Sequence, residues 1–282
     1  MDKRQVFCNG KGTLYLIATP IGNLSDISNR TKETIDMVEY LLCEDTRNTI
    51  KLLEHLNIKK SMVSYHKFNE KEMVDKVLRD LDDGKNVGLV SDAGYPGISD
   101  PGYIVSREAI LSGFNVTCIG GPSAFIHALV CSGIDSSKFM FYGFLDSKQI
   151  ARTKELEELI NVKETLIFYE TSNRMNESLL DMKKVFGNRR FCVARELTKK
   201  YEEFIYGELD EVDGSNVETK GECVVIVEGN NASETSLSSD VVEVIEEMLN
   251  NNIRAKDVAK MIVKLTNISK NEIYDFIVKN YK

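Results

Sequence analysis

Three loops rich in glycine and proline carry the first chemical signal. They are Pro20-Ile21-Gly22-Asn23, the twelve residues from Ser91 to Gly102, and Gly120-Gly121-Pro122-Ser123-Ala124. Seven of the twelve middle residues are Gly, Pro or Asp, and all four prolines of the chain fall within its first 122 residues. Glycine lets a main chain come close to a ligand, and proline stiffens the loop that does so. Tight strand-to-helix turns use the same residues, but three such loops in one half of the chain favour convergence on a ligand. The common nucleotide signatures are absent. Gly10-x-Gly12 has no third glycine and precedes its strand, while Gly10-Lys11-Gly12-Thr13 lacks both the upstream glycine and the following helix of a phosphate loop. Ordinary dinucleotide or ATP binding is disfavoured.

The elements that must position these loops follow from hydrophobic periodicity. Residues 13–19, 38–43, 62–65, 86–90 and 115–119 read as strands, and 31–40, 48–56, 71–81 and 103–111 as helices. Continuous apolar strands separated by amphipathic helices predict a largely parallel α/β sheet. Each of the three loops directly follows a strand, where ligands of open α/β sheets bind. A second unit begins near Lys138, with strands over 139–142, 165–169, 190–194, 203–206 and 223–227 and helices over 149–160 and 175–186. Its later strands follow one another directly, which predicts a mixed sheet. Residues 230–239 are polar and read as a linker. Beyond them, short helices are expected over 241–249, 255–265 and 270–279, the last with Ser269 as N-cap.

The chain has 282 residues, 42% of them hydrophobic, which suits one large or two ordinary domains and excludes wholesale disorder. Met1-Asp2-Lys3-Arg4-Gln5 lacks the apolar region of a signal peptide, and no apolar run is long enough to span a bilayer. The six cysteines are scattered without a Cys-x-x-Cys pair. The expectation is a soluble cytoplasmic protein with reduced thiols and no metal cluster.

At the loops the sequence resembles a known family. Ala18-Thr19-Pro20-Ile21-Gly22-Asn23-Leu24, Glu44-Asp45-Thr46-Arg47, Ser64-Tyr65-His66, Val90 through Gly102, Gly120 through Ala124, Phe168-Tyr169-Glu170 and Ala194-Arg195-Glu196-Leu197-Thr198-Lys199 are similar to the RsmI family. These are bacterial 16S rRNA (cytidine-2′-O)-methyltransferases of the tetrapyrrole methylase superfamily. The resemblance implies two α/β domains, over 12–136 and 137–229, with S-adenosylmethionine in the cleft between them. A small C-terminal helical segment, 240–282, would follow. It also implies a homodimer and a cytidine ribose in the decoding centre of the small (30S) subunit as substrate. Three departures lie beside the expected cleft: Tyr95 stands where Thr is usual, Phe68 where His often follows the Tyr-His pair, and Ser172-Asn173 in place of Pro-His.

Carried onto this chain, the resemblance assigns Asp92, Ala93, Gly94, Ile98 and Ser99 to the cofactor, joined by Pro20, Ser123, Ala124, Tyr169 and Glu196. Each has a structural alternative. Asp92 could close its own turn, Ser123 could be a plain N-cap, Tyr169 a sheet aromatic, and Glu196 a partner of Arg195. For the proton of the ribose hydroxyl, Glu44, Asp45, Arg47 and His66 are the candidates. Against that, Asp45 or Thr46 could cap the next helix, Glu44 could favour its positive end, and Arg47 could bind phosphate or pair with Glu44. His55 and His127 lie in helical patterns and read as surface or core residues.

The formal net charge of −8 argues against a uniformly basic RNA binder. Residues 201–250 alone carry a net −13, and the remainder is mildly basic. Residues 183–200 form a basic run in which Lys183, Lys184, Arg189, Arg190, Lys199 and Lys200 are expected to meet phosphates, and residues 250–282 are a second basic stretch. Two other readings remain: a tetrapyrrole or other small-molecule methyltransferase, and a non-catalytic cofactor-binding partner of the ribosome.

Overall fold

The computed structural model describes residues 10–215, 217, 221–230, 239–251, 253–264, 266 and 270–281. The N-terminal pentapeptide, Cys8, most of the 230–239 linker and Ser269 lie outside the described residues. The chain divides into one unit up to Gly229 and a second from Asn230.

The first unit opens with Thr13–Ile17 (β1), Asn29–Met37 (α1), Tyr40–Cys43 (β2), Thr46–Leu56 (α2) and Ser61–Ser64 (β3). Glu70–Asp82 (α3), Val87–Val90 (β4), Tyr103–Leu111 (α4), Asn115–Ile119 (β5) and Ala124–Cys131 (α5) follow. The five strands form one sheet in the order β3-β2-β4-β1-β5, all parallel. Alternation along each strand sends Leu14, Leu42 and Leu89 toward Val77, Leu81, Val105 and Ala109 of α3 and α4. The opposite face sends Ile17, Leu41 and Val90 toward Ile35, Leu52, Leu53 and Leu56 of α1 and α2. A sheet buried on both faces explains why its strands read as unbroken apolar runs. The central β4 therefore delivers the 91–102 loop to the middle of the carboxyl edge.

A second sheet contains Phe139–Phe144 (β6), Thr165–Thr171 (β7), Arg190–Arg195 (β8), Glu203–Glu208 (β9) and Glu222–Val227 (β10) in the order β6-β7-β10-β8-β9. Gln149–Leu159 (α6) joins β6 to its parallel neighbour β7, Met175–Phe186 (α7) follows, and the remaining pairs are antiparallel. The sheet is mixed, as the sequence predicts. Leu166, Phe168, Val193 and Val225 pack on α6 and α7, while Ile167, Cys192, Val224 and Ile226 pack on Ala128 and Leu129 of α5. In the second unit Ser239–Asn250 (α8), Ala255–Ile262 (α9) and Lys270–Tyr281 (α10) close on Ile245, Val258, Ile262, Ile273 and Ile277. Among the described residues no helix is long and apolar enough to cross a membrane, and no group of three or more His, Cys, Asp or Glu is placed to hold a metal.

Beneath the second sheet, Arg152 of α6 is fully buried and its guanidinium donates to Asp181 Oδ2 of α7 at 2.8 and 2.7 Å. Gln149 Nε2 donates to the other oxygen at 3.0 Å. Removing one member of such a pair strands a buried charge. Asp181→Ala should therefore cost about 3–5 kcal/mol in urea unfolding.

Candidate active site

The three loops meet. Thr19 and Gly94 exchange backbone hydrogen bonds, Thr19 N–H to Gly94 O at 2.8 Å and Gly94 N–H to Thr19 O at 3.1 Å. Gly94 has φ +75°, a conformation that glycine adopts without steric cost. Tyr95 then joins the second loop to the third: its hydroxyl donates to Gly121 O and accepts from Gly121 N–H, both at 3.1 Å. This departure from the usual Thr is thus a clamp between loops. At Gly22 the first loop presses on the turn after β8, where a Cβ would stand 2.8 Å from the Leu197 carbonyl oxygen. That approach brings the two sheets together around a cavity of about 390 Å³.

Nine of the ten residues assigned to the cofactor line this cavity: Asp92, Ala93, Gly94, Ile98, Ser99, Ser123, Ala124, Tyr169 and Glu196. Pro20 does not; its neighbour Ile21 takes that place. Asp92 does not close its own turn. Its Oδ1 accepts from Asp45 N–H at 3.2 Å and its Oδ2 from the Asn48 amide at 2.9 Å, so the β2–α2 turn holds the carboxylate in position. Ser123 sits at the N-cap of α5 without a side-chain cap hydrogen bond, and it lines the cavity. Tyr169, Val224 and Ala194 form one cross-strand row over β7, β10 and β8, and all three line the wall. Burial pushes the Tyr169 hydroxyl up to about 12. Glu196 pairs with Lys199 at 2.9 Å, whereas Arg195 pairs with Glu203 at 2.6 Å.

Of the proton-transfer candidates, Glu44 alone lines the cavity. Asp45 is the N-cap of α2, accepting from Arg47 N–H at 2.8 Å, and its carboxylate also receives the Arg47 guanidinium at 2.6 Å. That pairing holds the Asp45 carboxyl down at about 2, so Asp45 and Arg47 are committed to each other. His66 lies on the neighbouring β3–α3 turn, off the lining; its Nδ1 is buried without a hydrogen-bond partner.

The basic run over 183–200 does not form one face. Arg189 is buried and donates to the carbonyls of Ile160 and Glu228. Lys183 donates to the carbonyls of Asp210 and Val212, and Arg190 pairs with Glu228 at 2.6 Å. Lys184 and Lys200 are exposed, and Lys199 lines the cavity.

Sequence reasoning missed Asp100 and Glu222, which join Glu44, Asp92 and Glu196 to set five carboxylates against the single ammonium of Lys199 in the lining. It also missed Phe144, which adds an aromatic wall, and Asn48. The Asp-Pro-Gly ending of the long loop was the available signal for Asp100; Glu222 is far away in sequence and gave none. Such an acidic cavity suits a cationic ligand, and the apolar wall of Ile21, Ile98, Phe144 and Leu197 suits a flat apolar part of the same molecule.

A family model described as Tetrapyrrole (Corrin/Porphyrin) Methylases matches residues 13–213. The ribosomal RNA small subunit methyltransferase I of Halalkalibacterium halodurans is 41% identical over 274 residues, covering 94% of each chain. That of Bacillus subtilis is 40% identical over 286 residues, covering 98% of each. The chain belongs to the ribosomal RNA small subunit methyltransferase I family, within the tetrapyrrole methylases. Solved structures share the fold: the methyltransferase CobJ has a TM-score of 0.58 at 15% identity, covering 78% of this chain and 95% of its own. Uroporphyrin-III C-methyl transferase from Thermus thermophilus, complexed with S-adenyl homocysteine, has a TM-score of 0.55 at 14% identity over 77% of this chain and 97% of its own.

Burial pushes the Asp100 carboxyl up to about 6, with Glu44, Asp92 and Glu222 acting in the same direction and Lys67 against it. Burial and the charge of Asp92 also raise Glu44. Because Asp100 titrates above its ordinary 3.8, the folded state holds the proton more tightly than the unfolded chain. Its contribution to stability is therefore complete below about pH 4 and lost as pH rises through about 6. The gain in stability of Asp100→Asn over the parent should grow across that window in thermal melts; a pH-independent difference would contradict the assignment.

Proposed function

We propose that the protein is an S-adenosylmethionine-dependent methyltransferase that modifies the ribose 2′-hydroxyl of a cytidine in the decoding region of 16S rRNA. The acidic cavity built from the three glycine- and proline-rich loops is the observation that carries this reading. Relatives named for methylation of small-subunit ribosomal RNA match nearly the whole chain, which favours rRNA over a tetrapyrrole.

The residues present fit the cofactor. Asp92 would receive its ammonium or ribose hydroxyls, and Gly94, Ala93 and Ser99 would bring main chain against it. Ser123 and Ala124 would offer the first N–H groups of α5 to its carboxylate, and Ile98 and Tyr169 would cover its adenine. Glu196, held toward the cavity by Lys199, completes the second wall. When bound, S-adenosylmethionine supplies an electrophilic methyl group on a cationic sulfur, which the surrounding carboxylates favour electrostatically.

Transfer to a hydroxyl requires in-line placement and a proton acceptor. Glu44 takes the second role: its raised affinity for a proton makes it a better acceptor than an ordinary carboxylate. Asp45 and Asn48 are positioning residues, acting through Asp92. Lys200 and Lys184, both exposed and off the cavity lining, would meet phosphates of the RNA, whereas Lys199 is held by Glu196. We further propose a cytoplasmic homodimer. The exposed apolar side chains of Ile126 and Val130 on α5 and of Phe139 and Met140 on β6 support it.

Labelled S-adenosylmethionine offered with small ribosomal subunits from a strain lacking this modification tests the reading. Methyl transfer to the 2′-oxygen of a cytidine is expected, with Glu44→Gln lowering kcat by about 100-fold or more while cofactor affinity is retained. Asp92→Asn should instead weaken cofactor binding. Transfer to a porphyrinoid and none to the subunit would overturn it, as would cofactor binding without any transfer.

A further inference from the structure

The turn between β3 and α3 stands at the same carboxyl edge as the cavity and is firmly tied. Tyr65 is fully buried, and its hydroxyl donates to Glu70 Oε1 at 2.9 Å; the same oxygen accepts Gly102 N–H at 2.9 Å. His66 N–H donates to Asn69 Oδ1 at 2.8 Å, and the Asn69 amide donates to Ser64 O at 2.9 Å. The N–H groups of Asn69 and Glu70 return to His66 O at 2.9 and 3.1 Å.

This closed turn holds Phe68 out in solvent. Its side chain is 96% exposed, more than any other large hydrophobic among the described residues, with the His66 ring edge-on at 6.0 Å. The Glu70–Gly102 bond ties this turn to the end of the long loop that lines the cavity. The charge of Lys67 acts on the carboxyls of Glu44 and Asp100, lowering them against the burial that raises them.

A single exposed ring needs no explanation by itself, but the charge of the cavity gives this one a role. Five carboxylates against Lys199 repel a phosphodiester chain from the mouth. A strand that must present one ribose there has to be gripped by its uncharged parts. Base faces are those parts, and stacking on an aromatic side chain holds any base without a cation. A protein partner would meet one isolated ring on a charged rim, a poor match for the contiguous apolar core of an interface.

We infer that Phe68 is an RNA-binding residue that stacks on a nucleobase next to the methylated ribose. The inference rests on the rRNA methyltransferase reading. It assigns Phe68, at a departure from the family pattern, to substrate positioning.

The chain contains no tryptophan, so Phe68→Trp introduces a single indole that reports stacking directly. Titration with small ribosomal subunits should quench its emission while turnover stays near that of the parent. Phe68→Ala should raise KM for the subunit by about 10-fold, with cofactor affinity and kcat at saturation unchanged. Phe68→Leu should behave like Phe68→Ala, because an aliphatic side chain of similar hydrophobicity cannot stack. Unchanged KM in Phe68→Ala, full rescue by Phe68→Leu, or unquenched indole in a complex that turns over would each overturn the stacking role. Those outcomes leave the parent active. A parent that transfers no methyl to the subunit overturns the rRNA reading, and this inference with it.

Discussion

Thr19 and Gly94 exchange both of their backbone hydrogen bonds, and this bridge sets where the long loop after β4 can travel. Neighbouring parallel strands release their chains in the same direction, and without a tie the loops would continue outward into solvent. Here the loop doubles back at Gly94, with Thr19 Oγ1 donating to Ser91 O at 3.1 Å to fix the start of the reversal. Tyr95 passes the constraint on to Gly121, so three loops that are far apart in sequence are hydrogen-bonded to one another. A ligand cradle assembled before binding avoids the ordering cost that a mobile loop would incur.

The second wall is held with more strain. Four non-glycine residues among those described adopt positive φ, and three of them, Ser99, Glu196 and Thr198, lie on or beside the cavity. Left-handed backbone costs on the order of 1–2 kcal/mol at such residues, so surrounding contacts must impose it. Glu202 does so after β8, accepting from Thr198 N–H at 2.6 Å, while Lys199 N–H returns to Glu196 O at 3.0 Å. The result directs Glu196 into the cavity and turns Arg195 away toward Glu203. Strain of this kind gathers where a side chain must point in a functionally required direction.

Much of the architecture was legible because it is written locally. Tyr103–Leu111 and Asn115–Ile119 occur within the limits their periodicity indicates, and most other elements differ by one to three residues at their ends. Helix ends are decided by caps more than by the apolar pattern: α2 begins at Thr46, two residues before its periodic stretch, because Asp45 caps it. The loops were legible for a related reason, since Gly and Pro constrain backbone wherever they occur. The partners of charged side chains were not. Arg189 and Lys183 belong to a run that looks basic and free, yet their donors end on carbonyls of residues 27 to 39 positions away.

By itself the sequence determined the alternation of strands and helices, the three loops at strand ends, and the family motifs they contain. These depend on interactions within a few residues, and such short-range preferences survive in any context. Only the tertiary structure decided that Asp100 and Glu222 join Glu44 and Asp92 at one cavity, that Asp92 is held by a different loop, and that the turn carrying the exposed Phe68 is tied to Gly102. Electrostatic neighbours are set by distance through space, and strand order β3-β2-β4-β1-β5 brings together loops that the chain itself keeps dozens of residues apart. A net charge of −8 could not reveal that the acid is concentrated where a cation would bind.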